Sequence, residues 1–247
     1  MGDEPGAAYA YLGTSGWLAA VTGTAGRSPA AHRLLLPRPG HALVVGAVLA
    51  AGAAADWARR TLLPGASWAE ADELAAAGGP SGLLALPSLG GERYPLRDPH
   101  ARGTFIGLTS ASTAPQMYRA VLEGVSFALA SMLSTVPGRA GPLPVCGGGT
   151  RSALWLQLLA DVTGRPVRPL PAEDADIAAG FGAARTALHT LTGHAPPPLA
   201  DRPGGPAVEP GPAAAGYAAL RPAYDSLCAV LPEVFGALHS ATRLTPP

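Results

Sequence analysis

Three segments hold residue types whose order could do chemistry. The first is Gly13-Thr14-Ser15-Gly16, flanked by apolar runs with aromatics at 8–12 and 17–21. Such runs around a short glycine turn predict a β-hairpin. The N–H groups and two hydroxyls at its tip could converge on an anion such as a phosphate. Small residues serve hairpin geometry with no ligand as well, so the turn alone leaves both readings open. It is not the elbow of a serine hydrolase, because the order is not Gly-x-Ser-x-Gly and no strand-to-helix step follows Ser15. The second segment is Gly147-Gly148-Gly149, between an apolar run at 143–146 and a helical pattern from Thr150. Glycines there let a nucleotide approach the backbone, and a helix N-terminus favours negative charge; a plain strand-to-helix turn is the other reading. A dinucleotide fingerprint starting at Gly147 would need glycine where Ser152 stands. The third is the cluster Glu92, Arg93, Arg97, Asp98 and Arg102. It reads either as carboxylates and phosphate-binding arginines or as a salt-bridged loop.

Other chemistry is excluded or unsupported. All 17 basic residues are arginine, so a Walker-type phosphate loop, a Schiff base and a lysine base have no residue to work with. Cys146 and Cys228 form neither a Cys-x-x-Cys pair nor a disulfide framework, which fits a reduced, cytoplasmic setting. His32, His41, His100, His189, His194 and His239 lack metal-ligand spacing, so no metal site is expected. Glu123, alone on a helical pattern, reads as structural, and no spacing supports a serine triad.

The elements that would position these residues alternate. Helices are predicted at 46–63, stopped by Pro64-Gly65, and at 67–77, with Ser67 as N-cap and Glu70 as its capping-box partner. A strand at 43–45 would feed the first of these. Strands at 83–86 and 104–108 precede a helix at 114–133 whose Met117, Val121, Leu122, Val125, Leu129 and Met132 recur at helical spacing. Strand 143–146, helix 150–162, strand 166–170 and helix 174–191 follow. The class is α/β. Residues 1–192 read as the body of a single domain and 193–212 as a loop dominated by Pro, Ala and Gly. Residues 213–247 hold an amphipathic helix, marked by Tyr217, Leu220, Tyr224, Leu227, Leu231 and Phe235, that packs back on the same body.

At 247 residues the chain buries a core without staples. Its 17 basic and 17 acidic residues cancel, which argues against nucleic acid as a partner. The longest uncharged apolar stretch, 42–55, has 14 residues, too few to span a bilayer. The opening MGDEPGAAYA has neither the basic nor the apolar part of a secretory signal.

Together the segments resemble the FGGY family of carbohydrate kinases. The family's C-terminal signature is a Gly-Leu pair, seven or eight variable residues and a helical pattern ending in an acidic residue. Gly107-Leu108, seven residues and Gln116-Met117-Tyr118-Arg119-Ala120-Val121-Leu122-Glu123 are similar to it throughout. The stretch GERYPLRDPHARG before it resembles the xylulokinase branch, and YLGTSGW and CGGGTRSALWLQLLADVTGRPV resemble family motifs in the right order. The resemblance runs from about Ala8 to Leu238. It implies the actin-like, ribonuclease H-like fold of the family's second domain, a mixed sheet flanked by helices. It further implies ATP or ADP as partner, with Mg²⁺ carried on the phosphates. Gly13, Thr14 and Ser15 would face the phosphates, and Gly148 and Gly149 the adenosine. Family contacts near Ala111, where a glycine is common, and at Ala153, where glycerol kinases carry asparagine, are lost to alanine.

By the same resemblance, the sugar-binding first domain and the catalytic aspartate, which precedes the hairpin, have no counterpart here. Asp3 lies in a segment without the family's pattern, so no catalytic residue is expected in this chain. Two functions remain open. One is the ATP-side half of a sugar or polyol kinase, inactive alone; the other is a non-catalytic nucleotide-binding or interaction module, or a decayed fragment.

Overall fold

The computed structural model describes residues 4–23, 31–36, 40–134, 141–194, 197 and 205–243. Its centre is a six-stranded sheet in the order β3-β4-β2-β1-β7-β8. The hairpin forms as β1 (Ala8–Leu12) and β2 (Gly16–Gly23), paired from Ala8↔Ala20 to Leu12↔Gly16. β3 (His32–Leu35) and β4 (His41–Val48) extend it antiparallel. On the other side β7 (Leu143–Cys146) and β8 (Val167–Pro169) add parallel strands. A separate ribbon joins β5 (Leu84–Leu86) to β6 (Thr104–Ile106).

The expected boundary between strand 43–45 and helix 46–63 is displaced. Residues 46–48 read as helical in an Ala/Gly-rich run, yet Gly46, Ala47 and Val48 pair with Leu18, Trp17 and Gly16 of β2. β4 therefore alternates half-buried and buried positions to its end, and α1 spans Gly52–Leu62. β3 has no counterpart among the expected strands, since its four exposed residues carry no alternation and its pairing with β4 defines it.

α2 (Trp68–Ala77) starts with the expected capping box: the Glu70 amide donates to Ser67 Oγ at 3.2 Å and the Ser67 amide to Glu70 Oε2 at 2.8 Å. α3 (Ala114–Leu133) opens with a Thr113–Gln116 capping box and is buried at every residue from 118 to 132. A helix buried on all sides belongs to the core, and α3 packs against α1, α2, α4 and β5. α4 (Ala153–Thr163) is capped by Ser152, whose Oγ accepts the Trp155 amide at 2.9 Å. α5 (Ala172–Thr192) is followed by a stretch partly outside the described residues. Its described end is tied down: Val208 exchanges both main-chain bonds with Val167 of β8, at 2.9 and 2.7 Å, and the Gly211 amide donates to Asp161 Oδ1 at 2.5 Å. α6 (Ala214–Arg243) runs through Pro222 and Pro232 and buries Tyr217, Tyr224, Leu231 and Phe235. Phe127 of α3 stacks on Tyr224 at 5.1 Å between centroids and meets Tyr217 edge-on at 6.0 Å.

Candidate functional site

The two glycine turns lie side by side because their strands do. β1 and β7 are parallel neighbours, with Ala10↔Val145 and Tyr11↔Cys146 in register, so Gly13 and Gly147 leave the sheet at the same carboxyl edge. That edge, where connections diverge, is where open α/β sheets receive ligands.

The hairpin turn docks on α1. Carbonyls of Gly13 and Thr14 accept the first amides of the helix: Gly52 to Gly13 at 2.8 Å, and Ala51 and Ala53 to Thr14 at 3.0 Å each. These bonds replace the side-chain cap that Ala51 cannot provide. The expectation that the turn's amides all converge on an anion is thereby narrowed, since the Gly13 amide is taken by Ser15 O at 3.0 Å. Thr14 is exposed, and its hydroxyl meets no hydrogen-bond partner among the described residues.

In the second turn Gly147 adopts φ +102°, and a Cβ there would collide with the Leu12 carbonyl. A Cβ on Gly149 would stand 2.7 Å from Leu12 Cβ and 3.2 Å from the Trp155 ring. Gly148 differs, with no heavy atom within 4 Å of its Cβ position. The turn closes as a short 3-10 segment, Gly148–Arg151, in which Thr150 Oγ1 donates to Gly147 O at 2.7 Å.

A cavity of about 850 Å³ opens between the turns, within the range that takes a nucleotide-sized ligand. Gly13, Thr14, Gly148 and Gly149 all line it, while Ser15, Ala111 and Ala153 do not. The rest of the wall was not legible as a site in the sequence. It includes Gly52, Asp56 and Arg60 of α1, Trp68 and Asp72 of α2, Tyr118 of α3 and Trp155 of α4. Asp56 bonds Arg59 and Arg60 at 2.9 Å each, and the Arg59 hydrogen bond is the main reason its carboxyl is held below the usual range. Tyr118 Oη donates to Asp72 Oδ1 at 2.9 Å; burial first, and the Asp72 charge second, push this hydroxyl well up. The Trp155 indole N–H is buried without a partner. Arg151, exposed on the wall, supplies positive charge. Free donors at Thr14, open space at Gly148 and an unpaired buried N–H fit a polyanionic, heterocyclic ligand. No group of three metal-ligating side chains occurs among the described residues.

The charged loop lies away from this cavity. Glu92 and Asp98 are buried, whereas Arg93, Arg97 and Arg102 are exposed. The salt-bridged loop is corrected by the hydrogen bonds. Glu92 Oε1 accepts the amides of Leu49 at 2.9 Å and Arg93 at 2.8 Å, Oε2 accepts Ser88 Oγ at 3.3 Å, and Asp98 Oδ1 accepts the His100 amide at 2.7 Å. Main-chain donors do the work expected of arginines.

Glu123 is likewise part of the scaffold. Its Oε1 accepts Arg119 Nε at 2.8 Å, Tyr217 Oη at 2.6 Å and the Ser81 amide at 3.1 Å, and its Oε2 accepts the Ser81 hydroxyl. Arg119 also donates to Ala75 O and Tyr217 Oη, each at 3.2 Å. Burial acts to lower the Arg119 pKa, but the Tyr217 and Glu123 bonds and charges outweigh it and raise it. The network joins α2, α3 and α6 around one buried charge pair.

Known proteins of similar sequence share this chain's fold. The profile described as "FGGY family of carbohydrate kinases, C-terminal domain" matches residues 8–191. A xylulose kinase of Escherichia coli is 35% identical over 189 residues, covering 71% of this chain and 37% of that one. A xylulose kinase of Staphylococcus epidermidis is 36% identical over 149 residues, covering 56% and 30%. The crystal structure of xylulose kinase from Rhodospirillum rubrum superposes with a TM-score of 0.79 at 30% identity, covering 94% of this chain and 49% of that one. The chain thus spans about half the length of its structural relative and has the actin-like fold of these kinases. It belongs to the FGGY family of carbohydrate kinases, whose C-terminal domain it carries.

Proposed function

We propose that this chain is the ATP-side half of a cytoplasmic sugar or polyol kinase of xylulokinase type. Joined to an N-terminal half, it would serve transfer of the γ-phosphate of ATP to an alcohol group of the substrate. The carrying observation is that the hairpin turn and the glycine turn, whose first cavity-lining glycines, Gly13 and Gly148, are 135 positions apart in sequence (148 minus 13), line one cavity of about 850 Å³. Thr14 and Gly13 would meet the phosphates, with Ser15 shaping the turn behind them. Gly148 and Gly149 would flank the adenosine, Gly148 by leaving space and Gly149 by close packing. Mg²⁺ arrives on the nucleotide and neutralises phosphate charge.

Phosphoryl transfer depends on positioning, charge neutralisation and a base for the hydroxyl proton. The cavity residues offer the first two; of their two carboxylates, Asp56 is ion-paired on both oxygens and Asp72 holds the Tyr118 hydroxyl on Oδ1, and the family's base is assigned by resemblance to a segment before the hairpin. Absence of a general base typically costs about 10²–10⁴-fold in rate, and these 247 residues tested without a facing half lack substrate positioning as well. The purified chain is therefore expected to bind ATP and ADP without phosphorylating xylulose, gluconate or glycerol. A coupled ADP-release assay with these substrates checks this. ATP-dependent turnover by the chain alone would contradict its inactivity.

A further inference from the structure

The cavity has two ends, and α1 measures the distance between them. Gly52 is bonded to the hairpin turn, and Asp56 and Arg60 follow on the same face. At about 1.5 Å of rise per residue they stand roughly 6 and 12 Å along the helix from the phosphate end. At the far end the wall is rigid and aromatic. Arg59 donates Nη2 to Asp56 Oδ1 at 2.9 Å and Nη1 to Ala66 O at 2.6 Å, and its guanidinium carbon lies 4.9 Å from the Trp68 ring centroid. One face of the indole is thus covered by a pinned cation. Trp68 nevertheless remains 48% exposed and lines the cavity, so a ligand can reach its uncovered side.

Asp72 stands one turn beyond Trp68 on α2 and also lines the cavity. Tyr118, 1% exposed, occupies its Oδ1 at 2.9 Å. Asp72 Oδ2 meets no hydrogen-bond donor among the described residues. An oriented carboxylate with one free oxygen beside an open aromatic face suits a planar heterocycle bearing an amine, by stacking and one charge-assisted hydrogen bond.

Resting on the nucleotide reading above, we infer that Trp68 and Asp72 read the base: the heterocycle stacks on the open side of the Trp68 indole, and Asp72 Oδ2 accepts from an exocyclic amine, selecting an amino-bearing base such as adenine over an oxo-bearing one such as hypoxanthine. In that pose an oxo base sets a carbonyl oxygen against the carboxylate, a repulsive contact that selects against the wrong ligand. Gly13 and Thr14 are left with the phosphates, which all nucleotides share.

Isothermal titration of the full chain with Mg-ADP and Mg-IDP tests this. The wild type should hold ADP at least about tenfold tighter than IDP, the usual penalty when a charged acceptor loses its donor. Asp72→Asn, whose amide can donate to the oxo group, should bring the ratio to about one or invert it. Trp68→Ala should weaken both ligands by about tenfold, the scale of a lost base stack, and leave their ratio unchanged. Thermal unfolding without ligand verifies that both variants are folded. Equal affinity of the wild type for ADP and IDP, or an unchanged ratio in Asp72→Asn, overturns the base reading while the nucleotide reading stands. If neither diphosphate binds the wild type, both fall together.

Discussion

Glu123 and Gly148 both lie in segments that resemble the family's motifs, and their surroundings differ in what decides a residue's role. Glu123 is 2% exposed and accepts from Arg119, Tyr217 and Ser81. Gly148 is exposed on the cavity, with open space where a side chain would stand. One residue is needed by the fold and the other is spare to it. A motif match therefore mixes two kinds of residue, and local packing separates them.

The sharpest way to break that distinction is at Glu123. Glu123→Ala leaves the Arg119 guanidinium buried and uncompensated, which costs about 3–5 kcal/mol. Urea denaturation should record the loss as a lower midpoint, and an unchanged midpoint would place Glu123 outside the scaffold. Gly147 belongs with Glu123 although it adjoins Gly148. Gly147→Ala forces a side chain into φ +102° against the Leu12 carbonyl, for about 1–3 kcal/mol, measurable by the same denaturation.

Glu92 gives a smaller, pH-graded effect. Burial pushes its carboxyl up by more than the Arg93 and Leu49 amides and the Ser88 hydroxyl pull it down. The folded chain thus binds this proton more tightly than the unfolded chain does. Its contribution to stability is present below the ordinary carboxyl value of 4.5 and is lost as pH rises through the raised value. Glu92→Gln carries no such titration. The stability of the wild type relative to Glu92→Gln should fall from pH 4.5 upward, followed by urea midpoints across pH. The smallest effect is at Gly148, where Gly148→Leu should change unliganded stability by no more than about 0.5 kcal/mol.

Legibility in the sequence followed the range of the interactions. The capping box of α2 and the length of α3 depend on residues a few positions apart and were readable. The end of β4 was not, because Gly46-Ala47-Val48 is held extended by β2, far from it in sequence. The glycines of the site announced themselves by type. Asp56, Trp68, Asp72 and Tyr118 did not, since each reads as an ordinary helix residue until α1, α2 and α3 converge on one cavity. The charged loop misled for a related reason: composition shows its arginines and carboxylates, but not that main-chain amides reach the buried Glu92 and Asp98 first.

The central claim is that the cavity between the two turns is a nucleotide site whose open wall is Gly148. Its most direct test is the thermal shift produced by Mg-ADP in the wild type and in Gly148→Leu. At about 100 times the dissociation constant, ligand should stabilise the wild type by about 2.7 kcal/mol, or several degrees in melting temperature at this size. Gly148→Leu should melt with the unliganded wild type and show no shift. A wild type indifferent to Mg-ADP, or a variant that shifts as far as the wild type, would contradict the account.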